Sequence, residues 1–284
     1  MTYGAWYAQY LQTYKRDLAP KTRESYDQVT ASYILPAVGG LELDAITPEH
    51  VQAAINAAAE RGGRQAQVTY SVMHAVLRRA YRSWLLPRNP VDAIDKPTHQ
   101  QEQGKALTAA DFAAAAPLID EDIALCLALR AGLRRGEIAG LQWGDVNLTT
   151  RTLHVRRQRC RARGDLITKT PKSAAGVRDV PISPQLMTLL KAEYKLTPQA
   201  WVVDLAPEAI TRRWARLQRN ALHLQEAYRL HDLRHTYGSR LVLDGVRMRV
   251  VQYLMGHSSI NVTMQVYSHC RADDAAQEFK RVYG

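Results

Sequence analysis

The sequence predicts a mainly α-helical protein of two domains, with a small antiparallel β-sheet in the second domain. Apolar side chains recur at helical spacing through the first ninety-odd of its 284 residues. Three β-like runs, TLHVRRQ, LITKT and VRDVPI, then follow between residues 152 and 182. A polar stretch with Pro and Gly separates the two regions. We therefore expect an all-α domain at 1–97, a linker at 98–107 and a mixed α+β domain at 108–284.

Four helices account for the first domain. Trp6 to Tyr14 carry apolar side chains at helical spacing, and Pro20 opens a second helix that should end before Pro36. A third helix begins after Thr47, with an inward face of Val51, Ala54, Ile55 and Ala58. A fourth should run from Gln65 to Leu86, with an inward face of Val68, Val72, Ala75, Val76 and Ala80.

The second domain opens with helical patterns near 108–116 and 120–131, and helical periodicity returns after Ser183. Between these segments lie the β-like runs, two of them separated by the turn signal Arg163-Gly164-Asp165. One late helix has two distinct faces. Its apolar face comprises Ile210, Trp214, Leu217 and Ala221, and its basic face comprises Arg212, Arg216 and Arg219.

The charge balance favours a polyanionic partner, because 38 Lys and Arg against 27 Asp and Glu leave a net charge of +11. Nucleic acid and an acidic membrane surface both fit. No run of roughly 20 apolar residues is present, and the first residues lack a signal peptide's basic start and apolar core. We expect a cytoplasmic protein that does not enter a membrane. Cys126, Cys160 and Cys270 form no disulfide framework and are interpreted as structural thiols.

Four short segments of the second domain carry residues suited to chemistry. They are AGLRRGEIAGLQWGDVN at 131–147, KTPKSAAGVRDVPI at 169–182, HDLRHTYGSRL at 231–241 and LMGHSSINVTMQVYSH at 254–269. Taken singly, each has an ordinary explanation. Arg134 and Glu137 could form a surface ion pair, and either lysine of the second segment could be a solvated turn charge. His231 and His235 have the spacing of a zinc pair but lack a glutamate beside the first histidine.

Together, in this order, the four segments resemble the catalytic boxes of the tyrosine recombinases of the phage-integrase family. The resemblance implies that Glu137 supports the first catalytic arginine and that Tyr267 is the nucleophile. Lys169 stands in a Lys-Thr context similar to that of the preferred Lys172 and is the alternative lysine. The implied catalytic residues are Arg134, Lys172, His231, Arg234, His257 and Tyr267.

These residue types suit phosphodiester chemistry. Attack on a phosphodiester adds negative charge to its non-bridging oxygens, which Arg134 and Arg234 can bind bidentately. A tyrosine of pKa near 10 needs a base, and a departing sugar alkoxide needs an acid. His231 and Lys172 fit those two roles, and His257 would donate a hydrogen bond to the phosphate. The sequence has neither an acidic cluster for Mg²⁺ nor a GxxxxGK[ST] loop, so we expect no metal and no cofactor.

The resemblance also implies the substrate and the reaction. Double-stranded DNA would be cut through a 3′-phosphotyrosine intermediate and rejoined, for integration or excision of a phage or mobile element. Domain 1–97 resembles the family's core-type DNA-binding domain through its Pro20-x-Thr22 helix start and its Asn89-Pro90-Val91 exit. Six arginines and no acid between 151 and 163 form either a DNA-tracking edge or a solvated hairpin.

Assembly is expected to involve the chain after the nucleophile. An apolar stripe on a short helix would comprise Ala272, Ala275, Ala276, Phe279 and Val282. Docking on its own domain is one explanation. Relatives pass this segment to a neighbouring subunit, which implies a homo-tetramer on two DNA duplexes, a monomer free in solution, and control by an accessory directionality protein.

Two other functions remain open from the sequence. A type IB topoisomerase shares these residue types but rejoins the same strand, and it would relax a plasmid that lacks any recombination site. A catalytically silent DNA-binding regulator would keep the fold without the chemistry. Against the regulator, every box keeps its key residue.

Overall fold

A computed structural model describes residues 1–99, 104–171 and 173–259. The chain divides into two compact units, Met1–Glu102 and Gln103–Gly284, each with its own hydrophobic core. The architecture is mainly helical with small antiparallel sheets, which confirms the predicted fold class. Within the described ranges no helix combines the length and apolar character needed to span a bilayer. Lys172, Tyr267, Cys270 and the apolar stripe after 271 lie outside the described residues.

The first unit is built from five helices. They are α1 (Tyr3–Tyr14), α2 (Pro20–Val29), α3 (Leu35–Val38), α4 (Pro48–Ala59) and α5 (Gly63–Arg82). Helix α4 confirms its prediction, since its buried side chains are Val51, Ala54, Ile55 and Ala58. Thr47 caps it reciprocally with His50, which satisfies backbone N–H groups that a helix start leaves unpaired.

Two helix boundaries in this unit differ from the predictions. The second helical run continues past Pro36 through a wide π-turn at Thr30–Ile34. There the Leu35 N–H donates to the Thr30 carbonyl, and Pro36 falls in the first turn of α3, where its missing N–H costs nothing. Helix α5 ends at Arg82 rather than Leu86, because Trp84 adopts a left-handed backbone with φ of 62°.

The second unit alternates helices with short strands. Its helices are α6 (Ala109–Ile119), α7 (Ile123–Arg130), α8 (Arg135–Gly140), α9 (Pro184–Ala192), α10 (Pro207–Ala221), α11 (Leu230–Leu243) and α12 (Met248–Met255). Its strands are β1 (Val146–Asn147), β2 (Thr152–Val155), β3 (Gln158–Ala162), β4 (Asp165–Lys169) and β5 (Arg178–Pro181). Residues 123–129 of α7 are all buried, so this helix forms the centre of the core.

The strands form two sheets rather than the single predicted sheet. One has the antiparallel order β1-β2-β5, and the other is the β3–β4 hairpin. The run TLHVRRQ divides at Arg156-Arg157, because Arg157 turns to bind Asp145 at 2.6 Å and so ends β2 at Val155. The hairpin closes at Arg163-Gly164, where both residues have positive φ, as a two-residue primed turn requires.

Helix α10 keeps the two faces that the sequence indicates. Ile210 and Trp214 are fully buried, and Leu217 is half-buried. Ala221 is exposed, because the helix ends there and its last turn leaves the core. The basic face, Arg212, Arg216 and Arg219, is exposed.

Candidate active site

A buried carboxylate lies where the candidate boxes meet. Glu137 on α8 is 3% exposed and is surrounded by three arginines. Arg134 donates to its Oε1 at 2.8 Å, Arg178 donates to both carboxylate oxygens at 3.2 and 3.0 Å, and Arg234 Nη1 lies 4.0 Å from Oε2. Burial alone would raise the pKa of Glu137, but the charges of these arginines outweigh it and bring the pKa to about 2. The carboxylate is therefore ionised at neutral pH.

Arg134 is placed by the turn that starts α8. It is the residue before the helix, and its backbone N–H donates to Glu137 Oε2 at 2.9 Å. Gly132, two residues earlier, has φ of +63°, and a Cβ on it would lie 2.4 Å from the Tyr237 ring. Only glycine fits that backbone and that contact. The Arg134 side chain remains 36% exposed, so it can reach a ligand while Glu137 holds it.

Arg234 on α11 is 1% exposed and connects three of the boxes. Its guanidinium donates to the carbonyls of Gly132 and Met255, in addition to its ion pair with Glu137. These contacts fix the plane of the guanidinium. A planar, preorganised guanidinium is the group that best matches a phosphate.

The end of α12 brings His257 to the cluster. Gly256 ends the helix with a left-handed φ of +59°, and its carbonyl accepts from Arg134 Nη2 at 3.0 Å. A Cβ there would lie 3.0 Å from both the Ala175 carbonyl oxygen and Arg178 Nη1, so a side chain has no room. His257 follows directly, and its N–H donates to the Gln252 carbonyl at 3.1 Å. The left-handed backbone and the tight packing therefore require glycine at 256, and the turn that Gly256 makes places His257 beside the cluster.

A cleft of about 290 Å³ opens beside these groups. Its walls include Arg134, His257, Gln158, Pro171 and Ser173. The two residues flanking Lys172 are thus wall residues, whereas Lys172 and Tyr267 lie outside the described residues.

Lys169, the alternative catalytic lysine, lies at the end of a strand. Lys169 is half-buried at the end of β4, where its register partner is Gln158 of β3. It belongs to the β3–β4 hairpin.

His231 and His257 share one electrostatic environment. Loss of hydration, together with the positive charges of Arg234 and Arg134, lowers the pKa of each to about 3. As a residue, His231 is nevertheless exposed. Both imidazoles are therefore neutral at pH 7, and the two arginines and two histidines lie within electrostatic range of one another.

His235 packs edge-on against His231, with ring centroids 4.7 Å apart. Its Nδ1 is buried and makes no hydrogen bond within the described part of the chain. Over those same residues, no group of three His, Cys, Asp or Glu side chains is arranged around a metal site.

Arg178 is a residue of this site that the sequence reasoning missed. It lies on β5 with a fully buried side chain, and besides Glu137 it donates to the Leu254 carbonyl at 2.7 Å and the Gly176 carbonyl at 3.2 Å. The signal was available in VRDVPI. Residues two apart on a strand share a face, so Arg178 had to face inward with the buried Val180.

The arginines of segment 151–163 differ in their surroundings, since some lie near acidic side chains and others are exposed. Arg157 pairs with Asp145 at 2.6 Å, Arg161 lies 3.9 Å from Glu208, and Arg159 lies 3.8 Å from Asp204 while stacking over Trp201 at 4.5 Å. Arg151 and Arg156 are exposed. Arg157, Arg159 and Arg161 are therefore engaged within their own domain.

Comparisons with known proteins identify the family of the chain. A sequence model described as the phage integrase family matches residues 98–273, and one described as the N-terminal SAM-like domain of phage integrases matches residues 2–58. The tyrosine recombinase XerC-like protein of Caldanaerobacter subterraneus subsp. tengcongensis is 28% identical over 171 residues, which cover 50% of this chain and 44% of that protein. The chain thus spans less than half the length of this relative.

Two solved structures share the fold. The integrase of transposon Tn1549, in complex with transposon right end DNA, superposes with a TM-score of 0.80 at 21% identity over 100% of both chains. A lambda integrase tetramer bound to a Holliday junction gives 0.70 at 21% identity, over 94% of this chain and 77% of that one. Because the phage integrase model covers more than half of the sequence, the chain belongs to the phage integrase family.

Proposed function

We propose that this chain is an integrase that cuts and rejoins double-stranded DNA through a covalent bond between Tyr267 and a 3′-phosphate. The reaction would integrate or excise the DNA of a phage or another mobile element. One observation carries the proposal: Glu137 gathers Arg134 and Arg234 beside the cleft that His257 lines. The order of the four boxes and the family membership support it.

Arg134 and Arg234 would bind the non-bridging oxygens of the scissile phosphate. Both are oriented before substrate arrives, through Glu137 and the backbone carbonyls of Gly132, Met255 and Gly256. A preorganised donor needs no rearrangement when charge develops in the transition state, which is the main source of such stabilisation. His257, neutral at pH 7, still carries one N–H that could donate to the same phosphate.

Proton transfer would involve His231 and Lys172. As the Tyr267 oxygen attacks phosphorus, neutral His231 would accept its proton, and the bound phosphate would offset the arginine charges that disfavour a charged imidazole. Lys172 would give a proton to the departing 5′-oxygen as the phosphorus–oxygen bond breaks. The new phosphotyrosine bond replaces the broken one, so a second 5′-hydroxyl can reverse the reaction on another strand.

Lys172 is preferred to Lys169 because of its neighbours. Pro171 and Ser173 line the same cleft as Arg134 and His257, which supports a leaving-group role for the residue between them. Lys169, by contrast, pairs with Gln158 within the β3–β4 hairpin.

The assembled form would be a homo-tetramer on two duplexes, formed from monomers that are free in solution. The lambda integrase tetramer bound to a Holliday junction supports this assembly. In our proposal, the segment after 271 passes between subunits. An accessory protein would set the direction of recombination. We place the reaction in the cytoplasm of a bacterial host, where the DNA is, and assign exposed Arg151 and Arg156 to backbone contacts with that DNA.

The test uses a nicked suicide substrate, in which loss of a short 5′ fragment traps the covalent adduct. Wild-type protein should form an adduct that survives denaturing electrophoresis, and Tyr267→Phe should form none while binding the same DNA with unchanged Kd. The substitution removes one hydroxyl and no charge. An adduct that persists in Tyr267→Phe would overturn the assignment.

A further inference from the structure

We infer that Arg178 is a positioning residue for strand cleavage, which holds Glu137 and the end of α12 so that Arg134, Arg234 and His257 face one phosphate. This inference rests on the proposed function. It concerns a fully buried side chain whose three guanidinium nitrogens all bind Glu137 or backbone carbonyls. Its effect would therefore pass through the residues that it binds.

The contacts of Arg178 reach three separate segments. Nη1 and Nη2 bind the two oxygens of Glu137, Nε binds the Leu254 carbonyl at 2.7 Å, and Nη1 also reaches the Gly176 carbonyl at 3.2 Å. Leu254 lies three residues before His257, and Gly176 lies four residues after Lys172. One guanidinium thus connects the α8 box, the turn that follows the lysine, and the α12 end.

These contacts require an arginine. The guanidinium presents N–H groups in a planar fork, which can bind a carboxylate with two nitrogens while the third points to a carbonyl. A lysine at this position has one nitrogen and cannot bind all three segments. Gly256 marks how closely they pack, since a Cβ there would lie 3.0 Å from Arg178 Nη1.

Charge supplies the second part of the argument. Three arginines surround one ionised carboxylate, so the cluster carries a net charge of +2. Without Arg178, Glu137 would neutralise Arg134 or Arg234 more fully and draw the guanidinium away from the phosphate. Removing the carboxylate charge as well would return the cluster to +2.

The experiment measures single-turnover cleavage of the nicked substrate and, separately, the Kd for DNA. Arg178→Met should slow cleavage about 10²-fold, the scale of a misplacement of about 1 Å, with unchanged Kd. Arg178→Lys should slow cleavage by a smaller factor than Arg178→Met. The double variant Arg178→Met/Glu137→Gln should cleave about tenfold faster than Arg178→Met alone, because residues in one charge network couple non-additively. A purely structural role would instead make the double variant worse.

Arg130→Met is the matched control, since Arg130 forms a bidentate pair with Asp120 in the same unit but outside the cleft walls. It should cleave at the wild-type rate. Melting curves show which variants are folded. If Arg178→Met is unfolded, Arg178→Lys is used in its place, and it should cleave more slowly than the wild type with unchanged Kd. A folded Arg178 variant that cleaves at the wild-type rate, or an additive loss in the double variant, overturns the inference. If the wild type forms no adduct, the proposed function fails instead.

Discussion

Two arginine-rich regions of the second unit differ in how their charges are held. Around Glu137, three arginines from the start of α8, β5 and α11 share one buried carboxylate. Along the β3–β4 hairpin, Arg157, Arg159 and Arg161 each face a different acid. The number of arginines does not separate the two regions, whereas the sharing of one buried carboxylate does.

This difference has an energetic consequence. An exposed ion pair such as Arg161–Glu208 contributes at most about 1 kcal/mol, so Arg161 can exchange its acid for a DNA phosphate at little cost. A buried charge that loses its partner costs about 3–5 kcal/mol, which keeps the Glu137 cluster in one geometry. The hairpin therefore suits adjustable binding, and the Glu137 cluster suits catalysis.

The largest expected effect lies in the buried cluster. Arg134→Ala and Arg234→Ala should each slow cleavage by on the order of 10²–10³ or more, because each removes a preorganised donor to the transition state. Single-turnover cleavage at saturating DNA measures this rate. Near-wild-type cleavage in either variant would contradict the proposed phosphate clamp.

The candidate lysines should show the next largest effect. Lys172→Ala should slow cleavage by about 10²-fold through loss of the general acid, and Lys169→Ala should have little effect. A substrate with a 5′-bridging sulfur has a leaving group that needs no proton, so it should restore cleavage by Lys172→Ala. If Lys169→Ala shows the larger, rescuable defect, the lysine assignment is shifted by three residues.

The hairpin should affect binding and not the chemical step. Arg156 is exposed, and no ion pair of Arg156 occurs in the described ranges. Arg156→Ala should lower the slope of log Kd against log salt by about 1, the value for one lost phosphate contact. Arg159→Ala is the comparison, because Arg159 is held by Trp201 and Asp204. An unchanged salt slope in Arg156→Ala would mean that the hairpin is only a solvated charged surface.

Acid should destabilise the cluster through its histidines. The pKa of His257 is lowered from 6.5 to about 3 by burial and by Arg234 and Arg134, so below pH 6.5 the unfolded chain binds a proton that the folded chain does not. Stability should fall as the pH drops from 7 towards 3. His257→Gln should show a smaller fall in Tm between pH 7 and 5, and exposed His223→Gln should match the wild type. Equal falls in all three proteins would remove His257 as the cause.

Much of the fold follows from local patterns, because those patterns report which side of an element is buried. The inward face of α4 and the buried Ile210 and Trp214 of α10 are examples. What local patterns do not report is competition from distant contacts. Arg157, for example, ends β2 by binding Asp145, 12 residues earlier.

The candidate site shows the same limit. Short boxes indicate Arg134, Arg234 and His257, because the spacing of each box is local. Arg178 stands in a strand-like run without a motif of its own, and only the fold brings it against Glu137, 41 residues earlier. Its importance depends on contacts between β5, α8 and α12, which no single segment encodes.

The covalent link itself is the most direct test of the account. After cleavage of the suicide substrate, nuclease and trypsin digestion should leave a nucleotide on the peptide 250–271, which contains both Tyr253 and Tyr267. Tyr253 is 53% exposed, and its hydroxyl accepts from the Asp179 N–H at 3.1 Å, so it is a real competitor in the same peptide. Fragmentation by mass spectrometry should place the 3′-linked nucleotide on Tyr267. A nucleotide on Tyr253 or on any other residue would contradict the account.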